Sequence, residues 1–448
     1  LRPNELKLTW LASFSHFITH GYMTLLPAVL IVITAEHSLS FTEIGIIANI
    51  GYFLYGLGAF PAGYLSDKFG SKRMLTVGVG GMAVSSILVG LSPGAAAFAV
   101  TYAMLGIFAS IHHPAGLSLI ARRVETKKGK ALGIHGVMGN VGIFLTPLVA
   151  SYGVKYFGTW RAAYIIYGVI GLAFAMVIHM VKIEDEADLN WRKLLNWRKL
   201  LNWRKLLRSP AKGAASEDRE TLATVADETS KSIKSPALII IPISLLLLYL
   251  GSVLSGFIFR GSLTFFPTLL QSEVHFINLH DEPGYMAGIM TTVVLSLGLV
   301  GAWFGGYITD KLKRPEFLPF YIFIIVAPVL YLLSTMIDTK LLLISCLFSL
   351  VYYAWQPAQN YLISKYTRKA SHGMGFGINF FLIFGIGSIA TYTGGYVTDE
   401  YSIDRFYMIM AVIGAMAVLA AGGVYLARSY LLKFNWQLVK EDPQRKST

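Results

Sequence analysis

Gly63-Tyr64-Leu65-Ser66-Asp67-Lys68 returns, about 240 residues later, as Gly306-Tyr307-Ile308-Thr309-Asp310-Lys311. Each copy follows a long apolar run and precedes further Lys and Arg. An echo at half the chain length marks a duplicated unit. The surrounding composition says what the unit is. The 448 residues are 54% hydrophobic and 14% charged, too little polar surface for a water-soluble chain of this size. Apolar runs of about twenty residues, each able to cross a bilayer as a helix, recur along the length. The reading is an all-α membrane protein with twelve transmembrane helices.

The spans are expected near 8–34, 43–66, 74–92, 96–121, 131–154 and 160–181, then near 237–270, 284–309, 317–336, 340–365, 373–396 and 404–428. The first run, Leu8 to Ile33, is too long for a cleavable signal peptide and shows no cleavage site. One alternate set of loops holds Lys68, Lys72, Arg73, Arg122, Arg123, Lys127, Lys128, Lys130, Lys311, Lys313, Arg314, Lys365, Arg368 and Lys369, fourteen cations. The other set holds four: Lys155, Arg161, Lys340 and Arg405. The first set is therefore cytoplasmic, and with it both termini and the central linker. This gives a multi-pass inner-membrane protein. An N-terminal six-helix bundle covers 1–182, a cytoplasmic linker 183–235, a second six-helix bundle 236–430 and a cytoplasmic tail 431–448.

The net charge of +13 is spent on topology, so no nucleic-acid partner is expected. Cys346 is the sole cysteine, which excludes an intrachain disulfide and a cysteine-based metal site. The outer loop at 271–284, with Glu273, His275, His280, Asp281 and Glu282, reads as a solvated face. The linker carries Leu-Asn-Trp-Arg-Lys-Leu three times, from Leu189, Leu195 and Leu201. A six-residue period turns successive Trp residues about 120° apart on a helix, so no apolar face forms, and no function is assigned to it.

The two halves match by residue type. His20-Gly21-Tyr22-Met23-Thr24-Leu25-Leu26-Pro27 stands against Arg260-Gly261-Ser262-Leu263-Thr264-Phe265-Phe266-Pro267. His113-Pro114-Ala115 stands against Gln356-Pro357-Ala358, and Gly133-Ile134-His135 against Gly377-Ile378-Asn379. Six spans separate corresponding points, so both halves share one orientation. Two parallel six-helix bundles related by an axis along the membrane normal resemble the major facilitator superfamily. That resemblance implies a midplane site between bundles that rock to expose it to each side in turn.

The loop Gly63-x-Leu65-x-Asp67-Lys68-x-Gly70-x-Lys72-Arg73 resembles the superfamily's loop 2–3 motif at nearly every position. Small residues let helix ends approach, and Asp67 can cap an opposing helix N-terminus or pair with a loop cation. Gly63, Asp67, Lys68, Gly70 and Arg73, with Gly306, Asp310 and Lys311 in the degraded second copy, are read as gating residues.

The first 180 residues also resemble the fosmidomycin-resistance branch. The matches are Phe14-Ser15-His16, Leu26-Pro27, Ser40-Phe41-Thr42-Glu43-Ile44-Gly45, Gly106-Ile107-Phe108-Ala109-Ser110-Ile111-His112-His113-Pro114 and Gly139-Asn140-Val141-Gly142. This implies proton-driven export of small, often anionic or drug-like molecules. The chain departs from that branch at His20 and Ala115, where acids are common. Gly142-x-x-x-Thr146-Pro147 looks like a broken antiporter motif or a plain Pro-kinked helix.

Ionisable residues inside spans are costly and mark function. No carboxylate lies mid-span. The substrate and proton pathway is assigned to His16, His20, His112, His113, His135 and Arg260, with the neutral Asn140, Gln356, Gln359, Asn360 and Asn379 orienting substrate. Tyr352, Tyr353 and Trp355 line the same segment as packing or lipid-facing aromatics. Arg260 would attract an anion. His20, facing it across the repeat, would carry the proton. Paired His spacing also suits a metal, but supporting acids are absent and no metal is assigned. No nucleotide-binding loop is present, so a proton gradient rather than ATP is the energy source, without a cofactor. The expected function is a monomeric secondary transporter, not an enzyme, exporting a small organic anion or amphiphile by proton antiport. A proton-independent uniporter or anion exchanger is the alternative, and a His-based metal site a distant one.

Overall fold

The structure, a computed structural model, describes residues 1–125, 127–182, 237–367 and 372–441. The expected linker with its three repeats, Arg368, Lys369 and the last seven residues of the tail lie outside the described residues.

Among the described residues every regular element is helical. The N-terminal half comprises α1 (Pro3–His37), α2 (Phe41–Leu57), α3 (Ala59–Phe69), α4 (Ser71–Gly90), α5 (Ala95–Ala109), α6 (His112–Arg123), α7 (Lys128–Phe157) and α8 (Arg161–Met180). The C-terminal half comprises α9 (Ala237–Glu273), the short α10 (His275–Asn278), α11 (Pro283–Lys311), α12 (Phe317–Leu333), α13 (Asp338–Tyr352), α14 (Trp355–Tyr366), α15 (His372–Phe380), α16 (Ile389–Glu400) and α17 (Ile403–Glu441). Ten described stretches are long and apolar enough to cross a membrane, and α2 with α3, bent by 41°, make an eleventh. The 17 residues of α12 stand at the ninth expected span. At 1.5 Å per residue that helix is about 25 Å long, a little short of a hydrocarbon core of about 30 Å.

Four spans expected to be continuous are interrupted, the second at the bend between α2 and α3, and two of the other breaks have the same cause. A proline inside a helix clashes with the carbonyl four residues earlier and supplies no N–H. Pro114 therefore breaks the fourth span at Ser110–Ile111, between α5 and α6, and Pro357 breaks the tenth at Tyr353–Ala354, between α13 and α14. The eleventh span passes through a π-helical turn at Phe381–Gly385 and a 3-10 turn at Ile386–Ser388. The last helix runs on to Glu441, past the expected end of its span.

Within the N-terminal half α1 packs on α7 and α6, and α4 on α8 and α5. Within the C-terminal half α17 packs on α9 and α12, and α11 on α13. Between halves α2 meets α16, α7 meets α11 and α1 meets α9. Each half's second span thus pairs with the other half's fifth, as the parallel repeat requires.

One buried acid closes the C-terminal half at the end bearing Lys311. The Glu316 carboxylate, 2% exposed, accepts from Lys365 Nζ at 2.8 Å and from Tyr366 Oη at 2.9 Å. Burial pushes its carboxyl up, but the Lys365 hydrogen bond and the other donors outweigh it and hold the group below its ordinary range. A folded-state value below the unfolded one means that the stabilisation is present at neutral pH. It is lost as the pH falls through the folded value. Glu316→Gln should lower stability by about 1–3 kcal/mol at neutral pH, and the gap from wild type should narrow on acidification. Thermal unfolding in detergent across pH checks both.

Candidate functional site

Five of the ten histidines meet in the middle of the N-terminal half. His16 and His20 lie one turn apart on α1, so their rings share a face, with centroids 4.6 Å apart. His112 and His113 open α6, placed there by the break that Pro114 imposes. His135 comes from α7. His16 is central, with ring centroids 4.2 Å from His135, 5.0 Å from His113 and 5.1 Å from His112. The room for it is made by Gly139, where an added Cβ would fall 2.3 Å from His16 Cε1.

Two of the rings are fixed. His16 Nδ1 donates to the His135 carbonyl at 2.7 Å, and His112 Nδ1 shares a 2.8 Å bond with Ser15 Oγ. Left sealed without a partner among the described residues are Nε2 of His16, His112 and His113 and both ring nitrogens of His135. The cluster cannot hold many protons. Two imidazolium charges about 5 Å apart repel by about 3 kcal/mol at an effective dielectric constant of 20.

Arg260, on α9, is 2% exposed and forms no ion pair among the described residues. Its guanidinium carbon lies 4.0 Å from the Tyr52 ring centroid and 4.9, 5.3 and 5.8 Å from those of Phe384, Phe259 and Tyr55. The cage therefore draws on both halves. Arg260 Nε and Tyr55 Oη are both sealed without a partner. An N–H and an O–H free to donate suit an anion. Tyr55 and Phe384 stand between Arg260 and the histidines: their rings lie 5.9 Å from His113, and Phe380 stacks on that imidazole at 4.7 Å.

The C-terminal half answers the histidine cluster with a satisfied clasp. Asn379, which aligns with His135, accepts from Ser252 Oγ at 2.7 Å and from Gln359 Nε2 at 3.1 Å, and Gln359 also reaches Ser252 Oγ. Gln359 and Asn379 thus spend their hydrogen bonds on tying α9, α14 and the eleventh span together. Asn140 and Asn360 are half-buried and Gln356 is exposed. Trp355 and Tyr352 are buried, so both pack inside the protein.

At the basic end Asp67 pairs with Arg122 of the same half, both side chains about half-exposed, a contact worth little in itself. Gly70 caps α3 at φ +90°, Lys68 lies 5.5 Å from the Phe69 ring centroid and Arg73 sits in the first turn of α4. An added Cβ at Gly63 would meet Pro114 at 3.8 Å, and one at Gly306 would meet Pro357 at the same distance. The second copy differs in its charges. Asp310 forms no ion pair among the described residues, and Lys365, which aligns with Arg122, pairs with Glu316 instead. Lys311 lies over the Tyr307 ring at 4.3 Å.

The opposite end holds the halves together, and here the sequence reading missed the main residue. The Asp399 carboxylate, on α16, accepts from Phe41 N at 3.0 Å and from Thr42 N and Oγ1 at 2.6 Å each. A carboxylate of one half thus caps the first turn of α2 in the other. Gly395 lets the backbones this close, since a Cβ there would fall 2.0 Å from the Phe41 carbonyl oxygen. Lys155 and Glu282 pair across the same seam at 3.4 Å. The signal was present: Gly395-Tyr396-Val397-Thr398-Asp399 is a third copy of the opening motif, at the other end of the molecule. Tyr52, Tyr55 and Phe384 were also missed, and nothing in an apolar helix distinguishes such rings.

Two like-oriented helical halves, a buried cation cage between them and a latch across one end define a membrane carrier rather than an enzyme. The chain belongs to the Major Facilitator Superfamily, whose model matches residues 9–392. It is 23% identical to the membrane sensor protein UhpC of Escherichia coli over 432 residues, 93% of this chain and 91% of that protein. It is 25% identical to a D-galactonate transporter of Escherichia coli over 64% of this chain and 62% of that one. It is 33% identical to the tetracenomycin C resistance and export protein of Streptomyces glaucescens over 33% of this chain and 27% of that protein. The fold is shared with a bacterial homologue of the lysosomal transporter Spinster, solved inward-facing and unoccupied. The TM-score is 0.72 at 14% identity, covering 97% of this chain and 98% of that one.

Asp399→Asn should weaken the latch. Charge-assisted hydrogen bonds are worth about 1.5–3 kcal/mol each, so the ratio of closed to open molecules should fall by about tenfold or more. Spin labels at the exposed Tyr156 and Leu279, one in each half, should report longer distances in the variant.

Proposed function

We propose that the protein moves a small organic anion across the inner membrane by alternating access of its two halves, with Arg260 as the anion's anchor. The observation that carries this is the uncompensated guanidinium between the halves. Taking such a charge out of water costs several kcal/mol even after relaxation. A desolvated cation–π contact returns about 2 kcal/mol. The remainder is available to a ligand that brings negative charge. The named substrate of one relative, galactonate, is an anion of this kind. The tetracenomycin exporter and the resemblance to the fosmidomycin-resistance branch favour export.

Coupling is to protons through His20 and the cluster it joins. Mutual repulsion limits that cluster to one proton at a time, which gives one proton per cycle. A unit of pH gradient supplies about 1.4 kcal/mol and 100 mV about 2.3 kcal/mol per charge, enough for modest accumulation. The basic loops favour a cytoplasmic Asp67 end, which puts the Asp399 latch on the outer side. The lack of a mid-span carboxylate favours a second reading, a proton-independent anion exchanger. The near-complete match to a membrane sensor favours a third, in which the anion is bound and not carried.

Proteoliposomes with an imposed pH gradient, tested on a panel of sugar acids, sugar phosphates and other organic anions, decide among these. Wild type should accumulate at least one of them in response to the gradient, and Arg260→Ala, still folded by gel filtration, should lose at least tenfold of that rate. Undiminished transport by the variant would reject the anchor. Counterflow indifferent to pH would identify the exchanger, and binding without flux the sensor.

A further inference from the structure

We propose that the N-terminal half holds one borderline transition-metal ion, of the Zn(II) class, on the Nε2 atoms of His16, His112 and His113. One ring nitrogen from each of these residues lies within 4.8 Å of the others. In all three the nitrogen sealed without a hydrogen-bond partner is Nε2. A tetrahedral zinc with bonds of about 2.0–2.1 Å sets its nitrogens about 3.3 Å apart. Tilting His16 and His112 about their Nδ1 hydrogen bonds and turning His113 closes the difference.

The surroundings are those of a ligand set. A metal-bound imidazole characteristically donates its other N–H to an outer acceptor, which fixes the tautomer and aims the lone pair. His16 Nδ1 can only donate to the His135 carbonyl at 2.7 Å, so neutral His16 presents a lone pair at Nε2. Ser15 Oγ at 2.8 Å holds His112 in the same way in the tautomer whose Nδ1 carries the proton. Carboxylates usually fill this supporting role, and the lack of one mid-span is met here by a backbone carbonyl and a hydroxyl. Gly139 and Gly116 complete the cradle: a Cβ at the first would enter the His16 ring, and one at the second would lie 3.1 Å from His112 Cε1. His135 is not among the residues whose ring nitrogens come within 4.8 Å of one another.

Three neutral imidazoles select ions that favour nitrogen, such as Zn(II), Co(II), Ni(II) and Cu(II), over the oxygen-seeking Mg(II) and Ca(II). The ion keeps its full charge and an open fourth position. All three ligands belong to one half, so rocking of the halves leaves the site intact. Tyr55 and Phe384 separate it from Arg260, so the inference does not depend on the anion reading; an ion on three of the five imidazoles takes the place of the cluster's proton.

The test uses tag-free, full-length protein in detergent, stripped with a chelator and loaded with Co(II) and then Zn(II). One equivalent of Co(II) should bind with the visible absorption of a tetrahedral nitrogen site, Zn(II) should displace it, and Mg(II) should not. His112→Gln and His113→Gln should each weaken binding at least tenfold and Ser15→Ala by about tenfold, while His275→Gln and His280→Gln in the outer loop should change nothing. Because a cluster variant may misfold, X-ray absorption at the zinc edge of wild type stands beside them and should count three imidazoles. Failure to bind one equivalent, fewer than three imidazoles, or wild-type affinity in a folded His112→Gln or His113→Gln protein would overturn the site.

Discussion

The guanidinium of Arg260 has left water without gaining a counter-charge, and much of the molecule is arranged around that imbalance. Its surroundings come from α2, α9 and the π-turn of the eleventh span, so the cage exists only while the two halves are together. A charge this costly in a bilayer needs rings from the opposite half to remain tolerable. On the proposed reading conformation and occupancy are linked: a rocking motion that separates α2 from α9 would strip aromatic faces from the cation, and an anion at the guanidinium would replace them.

The repeat has been preserved in backbone and altered in chemistry. Pro114 and Pro357 break their spans at aligned positions, and Gly63 and Gly306 meet those prolines at the same distance. Where the C-terminal half fills its core with a self-satisfied Ser252–Gln359–Asn379 clasp, the N-terminal half places five imidazoles with nitrogens left over. The first arrangement ties three helices through its hydrogen bonds. The second leaves sealed ring nitrogens without a partner among the described residues. One half thus carries the buried cation, and the other the cluster of imidazoles.

Much of this was legible in the sequence, for identifiable reasons. The apolar runs, the basic loops and the echo at Asp67 and Asp310 follow from the bilayer's demands on any helix that crosses it. Arg260 and the histidines stood out because ionisable groups are scarce there. The partners of those groups were not legible. Gln359 and Asn379 read as free donors and acceptors because Ser252, which satisfies them, lies on a helix more than a hundred residues away. Tyr52, Tyr55 and Phe384 look like any other apolar-helix rings until Arg260 is set among them. Asp399 sits at a span end, where acids are unremarkable, and only its preceding Gly-Tyr-Val-Thr betrays it.

Phe384 belongs to a π-turn and touches two places at once, the guanidinium on one side and His113 on the other. A π-turn carries one residue more than α-helical geometry needs, which is slack that an adjoining segment can take up. Swinging this ring, together with Tyr55, would alter the surroundings of cation and imidazole at once. The two groups therefore share a mechanical route, a common shutter, that requires no field to be felt through the protein.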